Sequence, residues 1–216
     1  RGYLKDCKTL YLKVLYTKCE TGKLKVITEA YIGGSQVNIP AGGGFELSGP
    51  LTDNVNNGGQ ASGHTKTYND APYGIYPADA KPVGGWSVEY SNSDNRSPSN
   101  TTDLGSVSND EDWIKIKYKR DTGKLKVVTV LVGGGTLPAG SGWDLTTKPG
   151  DFVGTDSKDT SGNSSPDTET IDPAVTGNYG VTGRAVSGYF ITYDPQSGTL
   201  NKGNTLTLKV KYERDT

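Results

Sequence analysis

Methionine is absent from the chain, histidine occurs once, at His64, and phenylalanine only three times. A single histidine excludes a histidine-rich metal centre, and no serine or cysteine stands in a nucleophile motif, so there is no visible apparatus for covalent catalysis. His64, in Gly63-His64-Thr65, reads as a solvated loop residue. Nor is there a clustered pair of acids of the kind that glycoside hydrolysis needs. Hydrophobic residues make up only 32% of the chain, too few for a thick core but suited to thin β-layers joined by many turns. No apolar run approaches the ~18 residues that span a bilayer. Neither sign of charge prevails: 23 basic residues face 24 acidic ones, for a net charge of −1. A nucleic-acid partner is thereby disfavoured, because a basic binding face would lift the net charge well above zero. No cofactor is implied, and no stretch holds an apolar period of 3.6 residues over three turns.

Glycine is plentiful, at 30 residues, and proline reaches 11. The strongest positive signal is repetition. TGKLKV occurs at Thr21–Val26 and again, without a mismatch, at Thr122–Val127. The first copy is followed by Gly33-Gly34, Pro40-Ala41-Gly42, Phe45 and Leu47. The second is followed in the same order by Gly133-Gly134-Gly135, Pro138-Ala139-Gly140, Trp143 and Leu145. Two modules are therefore expected, at residues 21–121 and 122–216, preceded by a segment of residues 1–20. A second element recurs three times: TLYLKVLY at Thr9–Tyr16, IKIKY at Ile114–Tyr118 and TLTLKVKY at Thr205–Tyr212. The latter two run on into Lys119-Arg120-Asp121-Thr122 and Glu213-Arg214-Asp215-Thr216.

These elements alternate as strands do. Leu206, Leu208, Val210 and Tyr212 share one face, and Thr205, Thr207, Lys209 and Lys211 the other, so one face is buried and one is wet. Val127 to Val132 is more continuously apolar, as in a strand covered on both faces. Turn signals separate the runs at Asn57-Gly58, Gly84-Gly85, Pro195-Gln196-Ser197-Gly198 and Lys202-Gly203-Asn204. Short strands with frequent turns, in units of ~95–100 residues, predict sandwiches of seven or eight strands. The polar stretches Leu51–Asn69, Ser91–Glu111 and Thr146–Ile171 are expected to be long loops, where a binding face would lie.

The modules resemble the prealbumin-like, collagen-adhesin B-type repeats of surface proteins, also called SpaA-like domains. The residues that carry the resemblance in the second module are TGKLKVVTVLVGGG, Trp143-Asp144-Leu145, Asn178-Tyr179-Gly180-Val181-Thr182, Ser187-Gly188-Tyr189 and Ser197–Tyr212. The first module keeps the order with Ala71-Pro72-Tyr73-Gly74-Ile75, Gly84-Gly85-Trp86 and Trp113–Tyr118. The resemblance covers most of residues 21–216. It implies an all-β protein of two tandem transthyretin-like or Ig-like β-sandwich modules with an extra N-terminal strand, in a secreted, surface-attached or fibre-forming protein. Many such repeats carry a self-formed Lys–Asn isopeptide bond. Lys23 or Lys25 and Lys124 or Lys126 would supply the lysines. No asparagine stands near the end of either closing strand, and Gly183 occupies the position expected of the promoting acid. The resemblance therefore predicts no isopeptide bond here, to be checked by intact mass.

Remaining candidates are few. Asp151, Asp156 and Asp159, and separately Asp53, Asn54, Asn56 and Asn57, cluster in sequence without EF-hand spacing, so turn chemistry outweighs calcium. Three N-x-S/T sequons occur at Asn95, Asn100 and Asn163, all in expected loops. Trp113 and Tyr11 fall on the outward faces of closing strands, where they serve cross-strand packing or a contact between modules or subunits. The two cysteines, Cys7 and Cys19, flank the first closing-strand copy. A disulfide between them fits an oxidising compartment, two unrelated thiols being the alternative. No signal peptide precedes Arg1, so an exported protein is expected here in mature or trimmed form.

The copy at Thr9–Tyr16 matches Thr205–Tyr212 at six of eight positions. Leu10, Leu12, Val14 and Tyr16 keep its apolar face, while Tyr11 and Leu15 replace Thr207 and Lys211 and turn the wet face apolar. A strand apolar on both sides is out of place at a solvent-facing edge. Either it is the tail of an upstream repeat, or it adds as a strand to a neighbouring subunit. Head-to-tail contacts that do not close give filaments. The expected function is structural: a non-enzymatic extracellular subunit of a surface fibre, pilus-like filament or adhesin stalk. Its partners are copies of itself or other surface-protein repeats, with no nucleic acid and no membrane span in this chain. The alternative is an adhesin module that grips a glycan or host protein through its long loops.

Overall fold

A computed structural model describes residues 20–105 and 111–215, and these fold entirely as strands and turns. The first half supplies β1 (Thr21–Ile32), β2 (Ser35–Gln36), β3 (Gly44–Leu47), β4 (Asp53–Asn56), β5 (His64–Pro72), β6 (Gly74–Ala80), β7 (Trp86–Asn92), β8 (Thr101–Leu104) and β9 (Glu111–Arg120). The second supplies β10 (Thr122–Leu131), β11 (Gly142–Thr147), β12 (Ser157–Asp159), β13 (Asp167–Val175), β14 (Gly177–Gly183), β15 (Tyr189–Tyr193), β16 (Ser197–Leu200) and β17 (Thr205–Arg214).

The duplication in sequence becomes a duplication of topology. In the first half β1 lies between β9 and, along its other edge, β5 and the short β2, while β7 flanks β9. In the second half the order is β13-β10-β17-β15. The opposing sheets read β4-β3-β6-β8 and β12-β11-β14-β16. Even the irregularities recur: β1 and β10 each shift register by one residue after the glycine of TGKLKV, between Gly22 and Leu24 and between Gly123 and Leu125. Gly123 is required there, because a Cβ would stand 2.6 Å from the Asn204 carbonyl oxygen.

Alternation decides what is buried. In β9, Ile114, Ile116 and Tyr118 are wholly buried, and in β17 so are Leu208, Val210 and Tyr212. Leu24 and Val26 join Phe45, Leu47, Tyr76, Ala78 and Leu104 in one core. Leu125 and Val127 join Trp143, Tyr179, Val181 and Leu200 in a second. Each core draws on both sheets of its own half, which is a β-sandwich.

Three expectations are corrected. The polar stretches are not long loops: they contain β4, β8, β12 and most of β5 and of β13. β5 (HTKTYNDAP) and β13 (DTETIDPAV) are edge strands paired on one side only, and within them only Ala71, Ile171, Ala174 and Val175 are buried. Their threonines favour the extended backbone, while their buried apolar residues are too few and too irregularly spaced to show strand alternation. His64 is accordingly not a loop residue but the first of β5, opposite Thr28. Finally, β10 is not covered on both faces; Val128 and Val130 are half-buried and Val132 is 47% exposed.

Candidate functional site: closing strands and the joint between halves

Each closing strand lies parallel to the first strand of its own half. β1 and β9 run in register from Lys23 opposite Glu111 to Tyr31 opposite Lys119. β10 and β17 do so from Lys124 opposite Thr205 to Leu131 opposite Tyr212. Within each half, the strand by which the chain enters is thus hydrogen-bonded directly to the strand by which it leaves.

A buried tyrosine ties each closing strand to the opposite sheet. The Tyr118 hydroxyl lies 2.8 Å from the carbonyl oxygens of both Gly44 and Lys81, and accepts the Gly44 N–H at 3.2 Å. Tyr212 repeats this with the carbonyls of Gly142 (2.8 Å) and Arg184 (2.9 Å) and the Gly142 N–H (3.1 Å). Burial pushes both phenols above their ordinary range. A second pair, Tyr76 and Tyr179, donates to the carbonyls of Pro72 and Val175, both at 2.7 Å, with Tyr179 pushed up to about 12 by burial first and Asp151 second.

The halves differ where polar groups enter the cores. Thr28 on β1 accepts the Asn57 side-chain amide at 2.9 Å. In the second half the hydrogen bond from Thr160 N–H to the Ser141 carbonyl corresponds to that from Asn57 N–H to Gly43. Thr160 is shorter than asparagine and its hydroxyl meets Ser141 at 3.0 Å instead. Thr129, the counterpart of Thr28, is left wholly buried with no hydrogen-bond partner for its hydroxyl among the described residues. The first half also buries a carboxyl, Asp112, in phase with Ile114 and Ile116 on the inner face of β9. Burial pushes it above the usual carboxylate range, with the charges of Asp94 and Asp103 adding to the effect and the Ser93 hydroxyl, 2.9 Å away, opposing it.

Between the halves only Asp121 separates β9 from β10, and the joint is built around Arg120. Its Nε donates to Asp151 Oδ2 at 2.6 Å and its Nη2 to Asp151 Oδ1 at 3.3 Å. Nη1 donates to the Gly85 carbonyl and to Thr176 Oγ1, both at 2.9 Å, and Nη2 also to the Thr176 carbonyl at 3.0 Å. All five guanidinium donors are thus used, in the planar fork that arginine alone provides. The side chain is 10% exposed and lies 5.9 Å from the Trp86 ring centroid. Gly85, at φ +74°, is needed beneath it, since a Cβ would stand 2.3 Å from Nη1. The backbone reinforces the joint: Asp121 N–H donates to the Gly85 carbonyl and Thr176 N–H to the Asp121 carbonyl, each at 3.0 Å. Beside the clamp, Val37, Pro40, Val83 and Trp86 face Phe152 and Val153 across a largely apolar crevice of about 510 Å³.

The residues singled out from the sequence fare unevenly. Cys7, Cys19, Leu10, Tyr11, Leu12, Val14, Leu15 and Tyr16 lie outside the described residues. Asn95 is exposed at φ +52°, Asn100 donates its amide to Asp79 at 2.7 Å, and Asn163 is half-buried. Trp113 is half-buried on the outer face, with Lys115 Nζ 5.9 Å from its ring. The acidic clusters disperse: Asp151 serves the joint, Asp156 pairs with Lys148, and Asp159 accepts the Ser161 N–H. Asp53 accepts the Tyr68 hydroxyl, Asn54 reaches Glu46, Asn56 accepts the Gly58 N–H, and Asn57 turns inward to Thr28. Among the described residues no group of three His, Cys, Asp or Glu is placed to hold a metal ion. Lys23 and Lys25 both reach Glu111, and Lys124 reaches Asp172, on the wet faces of β1 and β10; at the same heights the cores are filled by Leu24, Val26, Leu125 and Val127.

Arg120 and Asp112 were not among the candidates read from the sequence. The signal for Arg120 is its recurrence as Arg214 in Arg-Asp-Thr after each closing strand. For Asp112 it is the strict alternation of EDWIKIKY, which puts an acid in phase with three core residues.

No family model matches the chain, and no curated protein matches it. Among solved structures it is similar to the Bacillus anthracis TIE protein, with 18% identity and a TM-score of 0.44 over 89% of this chain and 34% of that one. It is also similar to a major pilin of Streptococcus pyogenes, with 12% identity and a TM-score of 0.45 over 90% of this chain and 97% of the pilin. A minor pilin of Streptococcus agalactiae shows 17% identity and a TM-score of 0.34 over 91% and 97%. The chain therefore spans about a third of the length of the TIE protein and nearly all of either pilin.

Proposed function

We propose that this chain is a structural, non-enzymatic subunit of an extracellular surface fibre or pilus-like filament, and that residues 21–121 and 122–216 are tandem load-bearing modules. The observation that carries this reading is the parallel pairing of entry and exit strands. A pull along the chain draws β1 by its start, Thr21, and β9 by its end, Arg120. In parallel register those points lie at opposite ends of one ladder, from Lys23–Glu111 to Tyr31–Lys119. The ladder is loaded in shear, so its hydrogen bonds resist together rather than opening one after another. β10 and β17 are loaded in the same way, and the Arg120 clamp passes force from one ladder to the next.

Force spectroscopy tests this reading. Pulled from its ends, each half should yield at a force several-fold higher than when attachment points at Glu20 and Glu111 peel β1 from β9. Equal forces in the two geometries would sink the mechanical role. Assembly is proposed to use residues 1–20, whose closing-strand copy can add to an open sheet edge of a neighbouring subunit; the edge at β15 carries Phe190, 58% exposed. Electron microscopy of the native material should show filaments, and deletion of residues 1–18 should abolish them. Filaments that survive the deletion would refute strand donation.

A further inference from the structure

The trailing end of the second half reproduces, without a partner, the half of the joint that the first half contributes. Trp86 stands opposite Arg120 in the β7–β9 ladder, and Tyr189 stands opposite Arg214 in the β15–β17 ladder. The turn before each aromatic residue is closed alike, by Trp86 N–H to the Val83 carbonyl at 3.1 Å and by Tyr189 N–H to the Val186 carbonyl at 3.2 Å. Gly85 and Gly188 share a left-handed backbone, at φ +74° and +77°. Asp215 N–H donates to the Gly188 carbonyl at 3.0 Å, the same bond at the same length as that from Asp121 to Gly85. The chain therefore leaves the second half along the path by which it leaves the first.

The difference lies in the arginine. Arg120 folds over Gly85 and is nearly enclosed. Arg214 is exposed and has no hydrogen-bond or ion-pair partner among the described residues, and the space over Gly188 that a guanidinium would fill is empty to 4 Å. The receptor turn with its carbonyl, the aromatic wall and the arginine are all present, and what the second half lacks is a counterpart to Asp151 and Thr176.

We infer that Arg214 is one half of a second joint, and that its partner is a further β-module of this architecture continuing in line from Thr216. That module would present a carboxylate and a hydroxyl-bearing residue at the positions held in the second half by Asp151 and Thr176. The first half of another copy is a poor match. Where the second half has Thr176, whose N–H meets the Asp121 carbonyl, the first half has Tyr73, whose N–H meets the Glu20 carbonyl. The first acid after Pro50, Asp53, is already taken by the Tyr68 hydroxyl at 2.8 Å. Apart from that, the trailing face of the second half keeps Pro138, Ala139 and Val186 where the first has Pro40, Ala41 and Val83, but Gly133 replaces Ile32. The second joint thus leans more on the arginine than the first.

The test extends the full chain by a second copy of residues 123–216 fused directly after Thr216, so that Asp215-Thr216-Gly123 restores the native Asp121-Thr122-Gly123 spacing. In the parent chain the Arg120 Nε–H should exchange slowly with water and that of Arg214 fast. In the extended chain the Arg214 Nε–H should slow by about tenfold or more, the effect expected of a charge-assisted hydrogen bond in place of water. Arg214→Ala in the extended chain should let the appended copy tumble independently. Fast exchange at Arg214 in a folded extended chain would overturn the inference. Slow exchange in a self-associated parent chain would also overturn it, by assigning the partner to a separate molecule. The 216-residue chain offers a second check: Arg120→Ala should lower its melting temperature and Arg214→Ala should leave it unchanged. Equal losses would show that Arg214 is already engaged within its own half.

Discussion

Replacing Tyr118 by phenylalanine removes one oxygen atom from the closing strand β9 and leaves the ring in place. That oxygen shares its proton between two carbonyls and accepts the Gly44 N–H. The Gly44 carbonyl keeps a second partner, the Lys81 N–H at 2.9 Å. The Gly44 N–H keeps none, and Gly44 is buried. One donated and one accepted bond at roughly 1 kcal/mol each, with the cost of an orphaned buried amide added, give a loss of about 2–3 kcal/mol. In a unit of about 100 residues that is a fall in Tm of about 10–20 °C. Fluorescence can resolve the halves, since Trp86 and Trp113 belong to the first and Trp143 to the second. Urea unfolding of Tyr118→Phe in a Trp143→Phe background should show the loss directly. Tyr212→Phe, read at Trp143, should show a loss of similar size confined to the second half. Tyr189→Phe, whose hydroxyl makes no hydrogen bond among the described residues, should change little. A loss below about 0.5 kcal/mol for Tyr118→Phe, less than a single typical hydrogen bond, would mean that the hydroxyl does not couple the sheets.

The remaining predictions rest on differences between the halves. Thr129→Val should stabilise the second half by about 1 kcal/mol, because it removes a buried hydroxyl that has no partner among the described residues, whereas Thr28→Val should destabilise the first by a similar amount through the abandoned Asn57 amide; paired denaturant melts decide the sign of each. Asp112→Asn should stabilise the first half at neutral pH. The raised Asp112 carboxyl binds its proton more tightly folded than unfolded, so its contribution is full below the ordinary carboxylate value of about 4 and is lost as pH rises through the higher folded value. The gain from asparagine should therefore shrink as melts are taken toward acid, and a gain independent of pH would refute the assignment. Gly85→Ala should expel the Arg120 guanidinium while sparing both cores; NMR relaxation should then show the halves tumbling separately, and unchanged coupling would show that the clamp is dispensable.

Much of the fold was legible because backbone chemistry repeats in register with side-chain chemistry. TGKLKV marked β1 and β10, and alternation in Ile114–Tyr118 and Thr205–Tyr212 named the buried faces. The missed strands are edges that turn only a few residues into a core, Ala71 from β5 and Ile171 and Ala174 from β13, and rely on main-chain pairing for the rest. Hydropathy carries no trace of a hydrogen-bond ladder. The joint was illegible for a related reason. Arg120, Asp151 and Thr176 are 31 and 56 residues apart, and nothing local to any of them announces the other two. Asp112 was the opposite case: its phase was in the sequence, but an acid in a strand of alternating charge is read as wet until the neighbouring strands are placed.

The two halves have kept different things constant, and this bears on which features carry function. Core polar groups differ: Thr160 stands where the first half has Asn57, Leu206 opposite Leu125 stands where it has Asp112, and Thr129 lacks among the described residues the partner that Thr28 has. These exchanges leave the backbone path unchanged, and the predictions above expect them to alter stability. The parallel closure, the tyrosine hook, the bulge after the TGKLKV glycine and the glycine-aromatic-arginine exit appear in both. All four lie on the line from entry strand to exit strand. If these modules served mainly to present loops to a ligand, the joint and the closing ladder could vary freely while a surface patch stayed fixed. Here the longest polar stretches instead contribute edge strands, most of whose acids and amides are paired within their own half, and the features common to both halves are those that the proposed mechanical role requires.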